Sequence, residues 1–193
     1  MREISTNSIS DRVRDACIEA CNVVPEDVLA ALQRAREAEE SPIGRDILDQ
    51  LIENARIARE EAVPVCQDTG FALVFVELGQ DVRVTGGGLY DAVNEGVRRG
   101  YDEGYLRKSI VRHPLDRVNT GDNTPAVIHT ELVPGGKLRI TVAPKGGGSE
   151  NMSAARMLKP SDGADGVKRF VVETVREAGS NPCPPVIVGV GLG

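Results

Sequence analysis

Cys66-Gln67-Asp68-Thr69-Gly70 sets a thiol, an amide, a carboxylate and a hydroxyl side by side. A thiolate is a metal ligand and nucleophile. A carboxylate next to it can serve as acid, base or orienting group, with Gln67 and Thr69 as neutral hydrogen-bonding partners. The same run also reads as a polar turn around a buried cysteine, since free Cys is among the most buried residue types. A second thiol stands in Asn181-Pro182-Cys183-Pro184-Pro185. Three prolines stiffen the backbone and remove amide donors, which fixes the direction of the sulfur. Cys followed by Pro recurs among iron–sulfur ligands; a rigid loop with an incidental thiol is the competing reading.

Two further stretches suit anions. In Ala143-Pro144-Lys145-Gly146-Gly147-Gly148-Ser149-Glu150-Asn151, three glycines let backbone N–H groups approach a negative charge, and Lys145 adds a positive one. The spacing is neither that of a Walker A loop nor that of a dinucleotide fingerprint. Arg107, in Leu106-Arg107-Lys108-Ser109, has the planar fork that suits a carboxylate. Lys108 and Arg112 read better as a solvated basic loop. His113 and His129 lack ligand spacing to each other and are expected to be structural or exposed.

These stretches must be carried by a scaffold, and its pattern is mixed. Asp11 to Asn22 has Val13, Ala16, Cys17, Ala20 and Cys21 at the three-and-four spacing of a buried helical stripe, so Cys17 and Cys21 are expected in the core. Pro25-Glu26-Asp27 opens a second helix. A third spans about 45–62, with Ile47, Leu48, Leu51, Ile52, Ala55 and Ala58 expected to face inward. From Pro64 the pattern changes. Phe71 to Val76 reads as a buried strand, Leu89 to Gly104 as a helix, and Gly163 to Ala178 as another. Ala126–Leu132 and Lys137–Val142 read as a hairpin joined by Pro134-Gly135-Gly136. Val186-Ile187-Val188 reads as a strand running into glycines, the mark of a chain truncated at its C-terminus. The expected fold is α/β (mixed): a helical N-terminal segment followed by a mixed sheet with surrounding helices, as one domain over residues 1–193.

Composition narrows the partners. A net charge of -6 argues against general nucleic-acid binding, which needs a basic face. No apolar stretch approaches a membrane span and the N-terminus does not read as a signal peptide, so the expected location is cytoplasmic. Four cysteines in a reducing compartment read as buried thiols or metal ligands rather than disulfides.

The succession Cys66–Gly70, Val118-Asn119-Thr120-Gly121-Asp122-Asn123-Thr124, Lys145–Asn151, Asn181–Pro185 and Val188-Gly189-Val190-Gly191 resembles class I fumarases and the related L-tartrate dehydratases over essentially the whole chain. The resemblance implies an alpha-type hydro-lyase subunit that interconverts fumarate and L-malate with a 4Fe–4S cluster held by three cysteines, one iron left open. Cys66 and Cys183 match two of those ligands, and the third has no counterpart in this sequence. Gln67 and Asp68 would lie beside the cluster and the substrate hydroxyl. Arg107 resembles the carboxylate-binding arginine, and Gly148 would offer its backbone N–H. The remaining active-site groups belong to a beta subunit, and alpha chains would pair with each other, so this chain alone should be inactive. Lys145–Asn151 looks like the fumarase form of its loop. An L-tartrate dehydratase alpha subunit, or a non-enzymatic metal- or anion-binding module, remains the alternative.

Overall fold

A computed structural model describes residues 2–183 and 185–193. The chain forms two units, Met1–Lys145 and Gly146–Gly193, and its helices and mixed sheets make it an α/β protein.

The first unit opens with a short strand, β1 (Arg2–Ser5), and helix α1 (Thr6–Asn22). Ser5 caps the helix by accepting the Ser8 N–H on its hydroxyl at 3.2 Å, the expected service of an N-cap serine. Helix α2 (Glu26–Ala38) follows Pro25, which sits at the cap, and Glu26 and Asp27 occupy the first turn where acids suit the dipole. Helix α3 (Pro42–Glu61) starts behind Ser41, whose hydroxyl accepts the Gly44 N–H. Then come β2 (Phe71–Gly79), β3 (Val82–Thr85), α4 (Leu89–Glu103), β4 (Val127–Val133) and β5 (Leu138–Lys145). β1 and β3 pair in parallel as a separate two-stranded sheet.

β2 is the middle of the three-stranded sheet, parallel to β4 on one side and antiparallel to β5 on the other. Its alternation is plain. Ala72, Val74 and Val76 are buried among Ile9, Val13 and Cys17 of α1 and Val93, Val97 and Tyr101 of α4. Phe75, on the opposite face, is exposed and stacks on His129 with ring centroids 5.3 Å apart. Helices α1 and α4 are themselves in close contact. A Cβ on Gly96 would stand 2.6 Å from the Ser10 carbonyl oxygen and 2.6 Å from Val13 Cβ, so the crossing depends on the missing side chain.

Three expectations are corrected. β4 and β5 are not a hairpin, because β2 lies between them. The linking turn instead wraps the end of β2: Gly79 N–H donates to Lys137 O at 2.8 Å, Gln80 N–H to Val133 O at 2.9 Å and Asp81 N–H to Gly135 O at 3.0 Å. On α3, Ala55 and Ala58 are buried, but Ile47 and Leu51 are exposed, along with Ile43. The stripe is real, yet only its C-terminal end meets the core. Val186-Ile187-Val188 is not a strand and is exposed. A strand requires a neighbour for its ladder, and among the described residues this run has none.

The second unit carries α5 (Gly147–Glu150) and α6 (Gly163–Ala178), with a single 3₁₀ turn at Pro160–Asp162. Arg156 lies over the Phe170 ring at 4.6 Å and reaches Glu173 at 3.4 Å, tying the segment before α6 to its face. Among the described residues, no helix is long and apolar enough to cross a membrane.

Gly96→Ala should destabilise the chain. Relief of glycine's helical cost is worth about 1 kcal/mol, whereas forcing a methyl into a packed backbone costs about 1–3 kcal/mol. With a backbone carbonyl as the obstacle, the second effect wins. A lowered midpoint in urea unfolding is the expected result, and an unchanged or raised midpoint would show that the helices part easily.

Candidate active site

The Cys66–Gly70 loop joins α3 to β2, and its entry is anchored by main chain. Val65 N–H donates to Cys21 O at 3.0 Å, and Asn54 Nδ2 donates to Val65 O at 2.8 Å. Beyond that anchor the loop turns outward. Cys66 and Gln67 are exposed and Asp68 half-buried, which overturns the reading of a turn around a buried cysteine. The Asp68 N–H donates to Cys66 Sγ at 3.4 Å, and the thiol lies 3.6 Å from Gln67 Oε1. Asp68 Oδ1 accepts the Gly70 N–H at 3.0 Å, where Gly70 turns the chain at φ 64°. The backbone thus orients both the sulfur and the carboxylate.

Thr69 points the other way and is buried. Its hydroxyl accepts the Arg107 N–H at 2.9 Å and donates to Arg107 O at 3.2 Å. Tyr101 of α4 donates its hydroxyl to Thr69 O at 2.9 Å. That phenol is buried and its pKa is pushed up, chiefly by desolvation, so it remains a donor. Asn123, fully buried and at φ 58°, completes the network. Its Nδ2 donates to Gly70 O at 3.2 Å, while its Oδ1 accepts the N–H groups of Ser109 at 2.6 Å and Ile110 at 3.1 Å. The sequence elements 66–70, 107–110 and 119–124 are therefore laced together, and Arg107 stands exposed on the segment they hold.

In the second unit, Gly148 belongs to the short turn of α5 and is exposed. A Cβ at Gly148 would come within 3.3 Å of Asn181 O, so the glycine loop and the loop of the second thiol lie against each other. Asn181 Nδ2 also reaches Met152 Sδ at 3.6 Å. Cys183 is exposed, at φ 62°, with its N–H donated to Ser180 O at 3.1 Å.

The other two cysteines behave as the helical stripe implies. Cys17 and Cys21 are buried on α1, and desolvation pushes their thiols up to about 12 and about 11. Neither can furnish a thiolate near neutral pH. His129 stacks on Phe75, and His113 Nδ1 accepts the Leu115 N–H at 3.1 Å; both are exposed and neither is near a cysteine of the two loops in sequence. Among the described residues, no group of three His, Cys, Asp or Glu side chains could hold a metal ion. Two exposed loop thiols, Cys66 with a backbone N–H on its sulfur, nevertheless have the donor chemistry for thiolate ligands of an iron–sulfur cluster.

A crevice of about 320 Å³ is lined by Arg98, Arg99, Lys108, Asp102, Glu103 and Asp122. Each of its cations is ion-paired: Arg98 with Asp122, Arg99 with Asp11 and Glu103, Lys108 with Asp102. It is a set of internal pairs beside the loop network. Thr69 is the hydrogen bonder the sequence suggested, but its partners are main-chain groups of Arg107; Tyr101 and Asn123 escaped assignment from sequence, although Asn123 sits in one of the diagnostic runs. Its signal was an Asn in a Gly-Asp-Asn-Thr-Pro turn, a residue type that tolerates positive φ.

With the helical opening, the mixed sheet and the loop of Cys66 and Asp68 described, comparison with known proteins defines the class of this chain. A family model described as fumarate hydratase (fumerase) matches residues 10–193. The Methanocaldococcus jannaschii protein named "Putative L(+)-tartrate dehydratase subunit alpha" is 44% identical over 191 residues, covering 96% of this chain and 67% of that protein. The L(+)-tartrate dehydratase subunit alpha of Escherichia coli K12 is 31% identical over 195 residues, covering 99% of this chain and 64% of that protein. The chain belongs to the fumarase/L-tartrate dehydratase family, on its alpha-subunit side. It spans about two thirds of the length of these relatives.

Asp122 gives the loop network a pH signature. Burial raises its carboxyl, but the Thr124 hydroxyl and N–H, at 2.7 and 3.0 Å, and Arg98 Nε, at 3.0 Å, outweigh it and hold the pKa at about 2. The folded state therefore favours the carboxylate. Its contribution is complete above the unfolded value near 3.8 and is lost as pH falls through about 2. A lowering of this size corresponds to about 2 kcal/mol. Asp122→Asn should lower stability by that order at pH 7 and flatten the loss between pH 4 and pH 2, as read from urea midpoints across that range. Parallel curves for the two proteins would remove Asp122 from the acid response.

Proposed function

We propose that this chain is the alpha subunit of an iron–sulfur hydro-lyase that interconverts fumarate and L-malate in the cytoplasm. The observation that carries the reading is the lacing of the Cys66–Gly70 loop to the Arg107 main chain through Thr69. It keeps a thiol, a carboxylate and a guanidinium on segments of one network. Hydration adds a hydroxyl to one alkene carbon and a hydrogen to its neighbour; dehydration removes both. The hydroxyl leaves poorly and the proton beside the carboxylate is weakly acidic, so acid–base groups and orientation are both needed.

In this reading Cys66 and Cys183 are two of the three cysteine ligands of a 4Fe–4S cluster. When bound, the cluster supplies Lewis acidity toward the substrate hydroxyl without net electron transfer. Asp68, its Oδ1 fixed by the Gly70 N–H, holds or moves a proton at that hydroxyl, and Gln67 hydrogen-bonds beside it. Arg107 grips a substrate carboxylate with its planar fork. Gly148 offers its backbone N–H to a carboxylate oxygen. A beta subunit supplies the remaining binding and proton-transferring groups, alpha chains pair with each other, and the chain by itself does not turn over. A second reading, an L-tartrate dehydratase alpha subunit, is favoured by the names of the relatives.

The test is anaerobic reconstitution of the complete alpha chain and its beta partner with iron and sulfide, followed by turnover of fumarate and L-tartrate. Fast fumarate hydration with little tartrate turnover is expected. A preference for tartrate would overturn the substrate, and iron-loaded protein inert toward both would overturn the reaction. In the same enzyme, Cys66→Ser should lose bound iron and activity together; normal iron content would sink the ligand assignment. Asp68→Asn should lower kcat by about 10²–10⁴-fold, the usual range for a general acid or base, while thermal stability changes little. An unchanged rate would remove its catalytic role.

A further inference from the structure

Arg107 carries its guanidinium on a long side chain, so the fold can fix its reach only by fixing its backbone. Thr69 does this with one atom. Its hydroxyl takes the Arg107 N–H at 2.9 Å and gives its own proton to the Arg107 carbonyl at 3.2 Å. The other end of the clamp is equally determined. Tyr101, buried in the core, donates to Thr69 O. Asn123 holds Gly70 O with its amide nitrogen and the Ser109 and Ile110 N–H groups with its oxygen. The side chains of Thr69 and Asn123 are both buried, so their own polar atoms are satisfied within the protein. The residue immediately before Thr69 is Asp68, whose carboxylate is bonded to Gly70 N–H. The offset between the Asp68 backbone and the Arg107 backbone is thus set by the two hydrogen bonds of the buried Thr69 side chain rather than by loop length.

We propose that Thr69 is a positioning residue for Arg107, fixing where the guanidinium meets the substrate carboxylate relative to Asp68. The inference rests on the reading in which Arg107 binds substrate. Thr69→Val keeps the shape and removes the hydroxyl, leaving the Arg107 N–H and carbonyl unpaired. Thr69→Ser keeps the hydroxyl and loses only a methyl.

The experiment is a double-mutant cycle in the reconstituted holoenzyme with fumarate as substrate, using Thr69→Val, Arg107→Met and the pair. Thr69→Val should raise KM by about tenfold or more, since displacement near 1 Å can cost up to about 10²-fold. Iron content and the visible absorption of the cluster should not change. Thr69→Ser should restore KM to within about twofold. In the Arg107→Met background, Thr69→Val should add less than about twofold, because two groups acting through one contact are not additive. Hydrogen exchange supplies a readout apart from turnover: the amides of Arg107, Ser109 and Ile110 should be protected in the parent, and that of Arg107 should exchange faster in Thr69→Val. Multiplying effects on KM, or unprotected amides in the parent, would overturn the proposal. An Arg107→Met enzyme with unchanged KM would overturn the substrate-binding reading, and the proposal with it. Failure with the Arg107→Met effect intact would fall on the positioning role alone. Should Thr69→Val fail to fold, Thr69→Ala, which also removes the hydroxyl that bonds Arg107, enters the same cycle.

Discussion

A polar atom that water cannot reach must find its partner inside the protein, and in this chain that requirement falls on Thr69 and Asn123. A satisfied hydrogen bond nets about 1 kcal/mol, but a buried group left unsatisfied costs about 1–3 kcal/mol. Five bonds from these two side chains run to the main chain of residues 70 and 107–110. Losing one partner therefore strands others, and the loops are held as a set. The helical layer serves the same end. The close crossing of α1 and α4 at Gly96 brings α4 down onto the sheet, and Tyr101, one turn beyond, delivers its hydroxyl to Thr69 O.

The same contrast between buried and exposed settings divides the cysteines. Cys17 and Cys21 lie on α1 against α4 and β2, where desolvation holds the thiol form far above neutral pH. They contribute volume to the core and no reactivity. Cys66 and Cys183 sit on loops with open sulfurs, one of them bonded by a backbone N–H. On the proposed reading it is Cys66 and Cys183, not Cys17 and Cys21, that would serve a soft metal. The three-and-four spacing on α1 already placed Cys17 and Cys21 in a buried stripe, and burial bears that out.

What the sequence disclosed follows the range of each signal. Periodicity is local, and α1, α2, α4 and α6 stand where it placed them, as does β2. The stripe on α3 was also read correctly as a stripe. Whether a stripe is covered depends on a neighbour, however, and Ile47 and Leu51 have none sufficient to bury them. Pro134-Gly135-Gly136 is a turn, as its composition dictates, but turn chemistry is silent about a strand inserted from sixty residues earlier in the chain. β1 and β3 are four residues each and carry too little pattern to stand out. Of the candidate site, the groups facing outward were legible because their types announce chemistry. Thr69 was legible as a hydrogen bonder but its inward direction was not, and Asn123 was not legible at all, because a polar residue in a loop looks solvated until tertiary packing closes over it.

The choice between fumarate and L-tartrate turns on a difference that carboxylate-binding groups cannot sense. L-malate and tartrate both present two carboxylates on a four-carbon chain, and tartrate adds one hydroxyl. On the proposed reading, Arg107 and Gly148 address the shared ends. Discrimination must then come from groups beside the carbinol carbons, Gln67 and Asp68 here and others on the beta subunit. A pocket that merely tolerates an extra hydroxyl rejects it weakly, by about 10²-fold, whereas one built to hydrogen-bond it rejects a substrate lacking it by about 10⁴-fold or more. On that reading the Cys66–Gly70 loop, held at Thr69 and Gly70, would be the part of this chain through which substrate preference is exerted, and the glycine loop, addressing a shared carboxylate, would be a weaker guide to it.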